Sequence, residues 1–460
     1  MLDSAMKLPA KLKWVLTGVV LAGLVIFAGI NIHAWLNPPP MHQGRPVSQW
    51  VRELGDADYQ IAHRAQTTVP EIGSAATPYL IALLEHPESR LDTFRNSIAR
   101  RFPWLKLKPY DFPRARSTAM QLLGQMGTGD TNAVPALVRA LSDKDQALAV
   151  AARESLSQAG DAAVWPLIKV LKHESPSVRF LAVSALADLG PNTSDAVPAL
   201  LETLRDEVPE LRSAAIVALS RSGAAVDTLL PAFVRATGDK VVTVRLDAIN
   251  AIAAFQAEAV LATLPLSRLL KDEEQWVRSS AAFALGQIGP TANEATPALL
   301  EALKDSSAHV RVTAGNALWK ITGKSDGLVP VFLAALKESD LRLRNYATQG
   351  LLQLGPPAYP HVLEVFAVLK EEFEPGRYHS ALRLLGDADE TLLPYLAPAM
   401  QDADARIRGA CVFVLSRLAE HQPTARKLLL DAMKDGDAGV REAVERALRN
   451  LGANDGTGGN

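Results

Sequence analysis

Chemistry needs a few reactive side chains held at fixed spacing, so the histidines, the cysteine and the paired charges of this chain come first. Nine histidines stand at positions 33, 42, 63, 86, 173, 309, 361, 379 and 421. No two share the i, i+4 spacing that puts a pair of imidazoles on one helix face around a metal ion. Cys411 is the single cysteine and lies in the apolar run GACVFVL, the setting of an inert core thiol. Alone, it forms neither an internal disulfide nor a thiolate-rich zinc site. Glycine-rich phosphate loops and a nucleophile elbow are missing, because Gly286-Gln287-Ile288-Gly289 closes a helical pattern instead of following a strand. No catalytic residue, cofactor site or metal site is therefore assigned, and the chain is not expected to be an enzyme.

One charged pair recurs. An aspartate stands six residues before an arginine in Asp206/Arg212, Asp239/Arg245, Asp272/Arg278, Asp305/Arg311, Asp402/Arg408 and Asp435/Arg441. It is either a chemical site repeated along a groove, or an aspartate capping a turn beside an arginine that bridges to the next unit. Catalysis uses one perturbed constellation, whereas the same pair in every unit is what stacking demands. A structural ladder is expected.

The elements that must position these residues follow from a longer rhythm. Prolines recur at Pro135, Pro166, Pro198, Pro231, Pro265, Pro297, Pro330, Pro360 and Pro394, about 32 residues apart. Each opens an apolar stretch such as PALLEALKD, as suits a first helical turn, where the absent N–H costs nothing. About fourteen residues later come Val178-Arg179, Leu211-Arg212, Val244-Arg245, Val277-Arg278, Val310-Arg311, Leu343-Arg344, Ile407-Arg408 and Val440-Arg441, each opening an alanine-rich second helix. Glycines such as Gly190, Gly289 and Gly355 then suit the left-handed residue that stops a helix. At 48% hydrophobic and 21% charged, the 460 residues are not those of a disordered chain. A net charge of −2 exerts no general pull on nucleic acid.

The pattern P-x-L-x-x-L-L-x-D…V-R-x-x-A-x-x-A-L-G-x-I-G, matched best by residues 265 to 289, resembles the HEAT repeats, in particular the short HEAT-like class found in phycobilin lyases. The resemblance covers roughly residues 46 to 452 and weakens at the ends. Ile61-Ala62 replaces the Val-Arg pair in the first unit, the Pro135 unit lacks the arginine, and the last unit starts at Lys427. It implies an all-α α-solenoid of about twelve antiparallel helix pairs, with the second helices lining the inner face. The sequence independently requires helix pairs that bury their apolar faces on neighbours. Deoxyhypusine hydroxylases of this repeat class carry recurring His-Glu pairs for two irons. Here only His173-Glu174 occurs, too few ligands for such a centre. A lyase-like protein cradling a small molecule in the groove stays open, as does a purely structural spacer.

Residues 14 to 36, from Trp14 to Leu36, carry no charge and are long enough to cross about 30 Å of hydrocarbon. They predict a single transmembrane helix. Lys7, Lys11 and Lys13 precede it, so residues 1 to 13 are expected in the cytoplasm and the repeats outside it. Similarity to the anchored HEAT-repeat proteins common in bacteria implies the periplasmic side of an inner membrane. The alternative is a cleaved signal peptide and secretion. Residues 37 to 45, with Pro38 to Pro40, read as a stiff linker, and 453 to 460 as a disordered Gly-rich tail.

Two surfaces are candidates for binding. Residues 89 to 116 read as an insertion between the second and third units, with net charge +6 against −7 for residues 117 to 460. There Arg100, Arg101, Phe102, Trp104, Lys106 and Lys108 suit an anionic membrane surface. Alternatively, Phe102, Trp104 and Leu105 plug a gap in the repeats. The second candidate is the groove, where aligning the second helices puts Ser184, Val217, Asn250, Phe283, Asn316, Gln349, Arg383 and Phe413 in one column. Of these, Asn250, Phe283, Asn316, Gln349, Arg383 and Phe413 are the expected contacts. Amides and aromatics with one charge suit a protein or peptide better than a phosphate backbone.

Overall fold

The computed structural model describes residues 39–85, 90–105, 109–126, 132–369 and 390–455. The expected membrane segment 14–36, Lys106, Lys108, Arg383 and residues 456–460 lie outside them. Among the described residues no helix is long and apolar enough to cross a membrane.

The expected linker is partly a hairpin. Strands β1 (Met41–His42) and β2 (Arg45–Pro46) pair antiparallel. Gln43 and Gly44 between them have φ of 48° and 73°, the mirror-image turn whose twist matches a hairpin. Trp50, 1% exposed, fastens it by donating from Nε1 to the His42 carbonyl at 3.2 Å, and the Arg45 guanidinium lies 4.4 Å from the Trp50 ring centre.

Among the described residues the remaining named elements are helices, in two compact units with the boundary after Gly223. The first holds α1 (Val47–Glu53), α2 (Tyr59–Ile72), α3 (Thr77–Glu85), α4 (Arg90–Arg101), α5 (Phe112–Met126), α6 (Ala133–Ala140), α7 (Gln146–Gln158), α8 (Val164–Val170), α9 (Pro176–Leu189), α10 (Val197–Thr203) and α11 (Pro209–Arg221). Each short first helix lies against a longer second one, and second helices stack on second helices, α5 on α7 on α9 on α11.

This register corrects the reading of the insertion. Helix α5 packs on α3 as the second helix of that unit, so the extra residues fall inside a unit, between its two helices. Arg116 belongs to the repeat proper.

The second unit holds α12 (Val226–Ala236), α13 (Val242–Ala254), α14 (Thr263–Leu269), α15 (Gln275–Ile288), α16 (Thr296–Ala302), α17 (Ala308–Thr322), α18 (Leu328–Ala335), α19 (Leu341–Leu354), α20 (Val362–Leu369), α21 (Leu393–Ala399), α22 (Ala405–Leu418), α23 (Pro423–Ala432) and α24 (Ala438–Asp455). The last helix runs to Asp455, into the stretch read as a tail. Helix α15 shows why the sequence folds this way. It buries Val277, Ala281, Ala282, Ala284, Leu285 and Ile288, each leucine-sized side chain contributing about 1.5–3 kcal/mol. Gly289 ends it at a φ of 77°. Its small residues let α17 approach closely, since a Cβ on Gly286 would stand 3.0 Å from the Ala317 Cα.

Candidate functional site

The recurring charges form a ladder whose pairing differs from the six-residue spacing. Each arginine folds back and donates from Nη1 to the carbonyl six residues earlier, Arg245 to Asp239, Arg278 to Asp272 and Arg311 to Asp305, all at 2.9 Å. Arg212, Arg408 and Arg441 do the same toward Asp206, Asp402 and Asp435. The carboxylates serve the preceding unit. Arg179 grips Asp206 at 3.0 Å, Arg245 reaches Asp272 at 3.0 Å, Arg278 takes Asp305 at 2.7 and 2.9 Å, and Arg408 takes Asp435 at 2.8 and 2.9 Å. Each carboxylate also accepts the N–H two residues on, as Asp305 does from Ser307 at 2.8 Å.

Such groups are poor acids and bases. Burial pushes the Asp305 carboxyl up, but the Arg278 hydrogen bond, the Ser307 N–H and the charges of Arg278 and Arg311 outweigh it and hold it below the usual range. The Arg408 hydrogen bond does the same for Asp435, and these carboxylates raise Arg278 and Arg408 in turn. Burial also pushes the Cys411 thiol well above its ordinary value, so it is a poor nucleophile.

Sequence reasoning missed one rung of the first compact unit, whereas the arginine absent from the Pro135 repeat was visible in the sequence. Arg116, counted with the insertion, pairs with Asp143 across 27 residues, the spacing of every other rung. In the next unit Ala149 holds the arginine position, and His173 stands where its aspartate partner would be, its Nδ1 accepting the Ser175 N–H at 3.0 Å. The absent rung leaves a cleft of about 830 Å³ lined by Asp143, Ala149, His173 and the half-exposed Phe180.

The groove column converges in the second unit. Phe283 on α15, Asn316 on α17 and Gln349 on α19 line a niche of about 40 Å³ together with Lys320, Tyr346 and Gln353. Asn250 is exposed on α13 and Phe413 half-buried on α22, and neither lines this niche. The Lys320 ammonium lies 5.9 Å from the Phe283 ring centre, within reach of a cation–π attraction. Asn316 Oδ1 is buried with no hydrogen-bond donor among the described residues. Burial pushes the Tyr346 phenol up. Sequence reasoning missed Lys320, Tyr346 and Gln353, although i, i+4 and i, i+3 from Asn316 and Gln349 would have found them.

The insertion does not plug a gap. Trp104 is 75% exposed, and Phe102 and Leu105 are each 40% exposed. What docks the segment is Tyr110, whose backbone is clasped by Asn96. The amide donates to the Tyr110 carbonyl at 2.8 Å and accepts its N–H at 2.9 Å. The Tyr110 ring lies on Gly55, where a Cβ has no room, and the Asp111 N–H donates to the Gly55 carbonyl at 2.8 Å. Neither Arg100 nor Arg101 pairs with a carboxylate among the described residues, where there is also no cluster of three or more histidine, cysteine or acidic side chains able to hold a metal.

Stacked helix pairs locked by an inter-repeat ladder define an α-solenoid. The sequence matches the family description "HEAT repeats" over residues 164–253, 263–352 and 362–449, more than half the chain, and "PBS lyase HEAT-like repeat" over 115–143. The chain belongs to the HEAT-repeat family. None of the curated proteins matches the sequence. Among solved structures it is similar to Kap95p, in the structure on how Kap95p binding induces the switch loops of RanGDP to adopt the GTP-bound conformation, at 14% identity and a TM-score of 0.51. That match covers 88% of this chain and 60% of that one. Kap121p is similar at 15% identity and a TM-score of 0.49, over 88% of this chain and 57% of its own. The likeness is one of fold, and the chain spans a little over half the length of these proteins.

Proposed function

We propose that the chain is a non-catalytic scaffold that binds a protein or peptide through the groove face of its second helices, held at a membrane by residues 14–36. In this reading the N-terminus is cytoplasmic and the repeats stand on the far side, the periplasm if the source is bacterial. The observation that carries the binding role is the convergence of Phe283, Asn316 and Gln349 with Lys320, Tyr346 and Gln353 on one face. The niche is far smaller than the roughly 300–1,000 Å³ of small-molecule sites, which favours side-chain and backbone contacts over a cradled cofactor. Kap95p, whose fold the chain shares, binds RanGDP.

The test is a photoreactive residue at Asn316, compared with one at Leu300, which is 49% exposed on first helix α16. In native membranes a discrete adduct is expected from position 316 only, and a protease-protected C-terminal tag in the same cells with intact inner membranes. Phe283→Ala should weaken the isolated complex at least about tenfold, as truncating an interface anchor does. Equal labelling from both positions, or none from 316, overturns the groove assignment.

A further inference from the structure

We infer that the insertion of the first unit is an anionic-lipid docking surface, in which arginines take a lipid phosphate while the neighbouring aromatics enter the bilayer interface. The claim is separate from the groove and rests in part on the anchor reading, which brings the repeats to a bilayer.

Three observations converge on it. The first is a cleft of about 880 Å³ at the base of the insertion, lined by Arg100, Arg101 and Arg114 against the single carboxylate of Asp111. Asp111 is occupied, accepting the Arg114 N–H at 3.1 Å at the start of α5. Arg100 and Arg101 keep no carboxylate partner among the described residues, and guanidinium forks match phosphate oxygens bidentately.

The second is what stands beside the cleft. The chain leaves α4 at Arg101 and immediately presents Phe102, Trp104 and Leu105, with Trp104 75% exposed and its ring 6.4 Å from that of Phe102. Water is a poor solvent for such a cluster, and amphipathic aromatics flanked by cations are the composition that settles at headgroup depth. The opposite charge of an anionic leaflet selects this occupant over a neutral protein surface.

The third is placement. Tyr110 and Asp111 fasten the insertion to Gly55, in the loop between α1 and α2, and the Arg114 guanidinium lies 5.8 Å from the Tyr59 ring centre on α2. The surface is thus tied to the helices that directly follow the hairpin and the apolar stretch 14–36. About ten residues separate that stretch from α1, a reach of roughly 35 Å at most.

The full chain can be tested as it is. Cys411 is buried, so a cysteine introduced as Leu105→Cys accepts a polarity-sensitive dye selectively, and Leu261→Cys, at a site 78% exposed in the second unit, is the control. The labelled chain is reconstituted into phosphatidylcholine vesicles with and without phosphatidylglycerol. The expected result is a blue shift and quenching by spin-labelled lipid at position 105, in anionic vesicles only and never at 261. Arg100→Glu with Arg101→Glu should weaken the response at least about tenfold with unchanged circular dichroism, since each basic contact with an anionic surface is worth about a factor of five. Water-like emission at 105 in anionic vesicles overturns the proposal, as does an equal response in neutral ones. Loss of the response to inorganic phosphate at matched ionic strength also overturns it, by making the cleft a free-anion site. Resistance of the chain to salt and carbonate washes reports separately on residues 14–36, so either reading can fail alone.

Discussion

Arg278 shows how one residue joins three parts of the chain: its own helix, the carbonyls of the turn before it, and Asp305 of the following repeat. Both partners are nearly buried, with side chains 13% and 12% exposed. Removing one therefore leaves an uncompensated charge, and Arg278→Gln should cost about 3–5 kcal/mol in urea unfolding. The pH dependence follows from the depressed Asp305 carboxyl. A group whose folded value lies below its ordinary 3.8 adds stability that is complete above that value and is lost as the pH falls through the depressed one. The acid-unfolding midpoint of the wild-type protein should therefore lie lower than that of R278Q, as read by circular dichroism in an acid titration. The ladder residues and an arginine bridging to the next repeat were legible from their period, but the carboxylate that each arginine takes was not. A six-residue spacing suggests partners within one turn, whereas the carboxylate faces the arginine 27 residues upstream, a relation only stacking creates. Arg116 does not stand out as a rung in the sequence, because it lies in a basic, aromatic-rich stretch that reads as an insertion.

At the level of the helix, the groove depends on how closely second helices approach. A Cβ on Gly350 of α19 would stand 2.7 Å from both Asn316 Oδ1 and the Phe332 ring, with no room to give, because Phe332 is fully buried. Gly350→Ala should destabilise the protein by about 1–3 kcal/mol. It should also weaken partner binding, because the Asn316 amide must move; calorimetry and the crosslinking yield at position 316 report the two effects. Helix positions were readable because proline openings and Val-Arg pairs mark both members of each repeat. The place of the insertion was not, since the excursion between α3 and α5 hides the resumption of the repeat behind a run of aromatics. Gap-filling by Phe102 and Trp104 was a reasonable expectation for large apolar side chains. It fails because Tyr110 and Asn96 already provide the fastening.

For the molecule as a whole, the described helices within each compact unit are held chiefly by their nearest neighbours, so stability there is close to a sum of local terms. Leu285→Ala on α15 should cost about 2–5 kcal/mol. The loss of hydrogen-exchange protection should be greatest in α13, α15 and α17 and smallest in α22. Uniform loss through α24 would instead mean one all-or-none unit. This architecture could be read from the spacing of nine prolines because it repeats. The groove residues beyond the column could not, because each occurs once, whereas the break in the ladder shows as the arginine missing from the Pro135 repeat. That break has a mechanical consequence. Arg153 on α7 still reaches Asp188 farther along α9, while no hydrogen bond or ion pair among the described residues joins Ala149 to His173 at the near end. Beyond its buried apolar packing the seam is pinned at one end only, so a side chain entering the mouth would meet less polar resistance there than at the Arg153–Asp188 end.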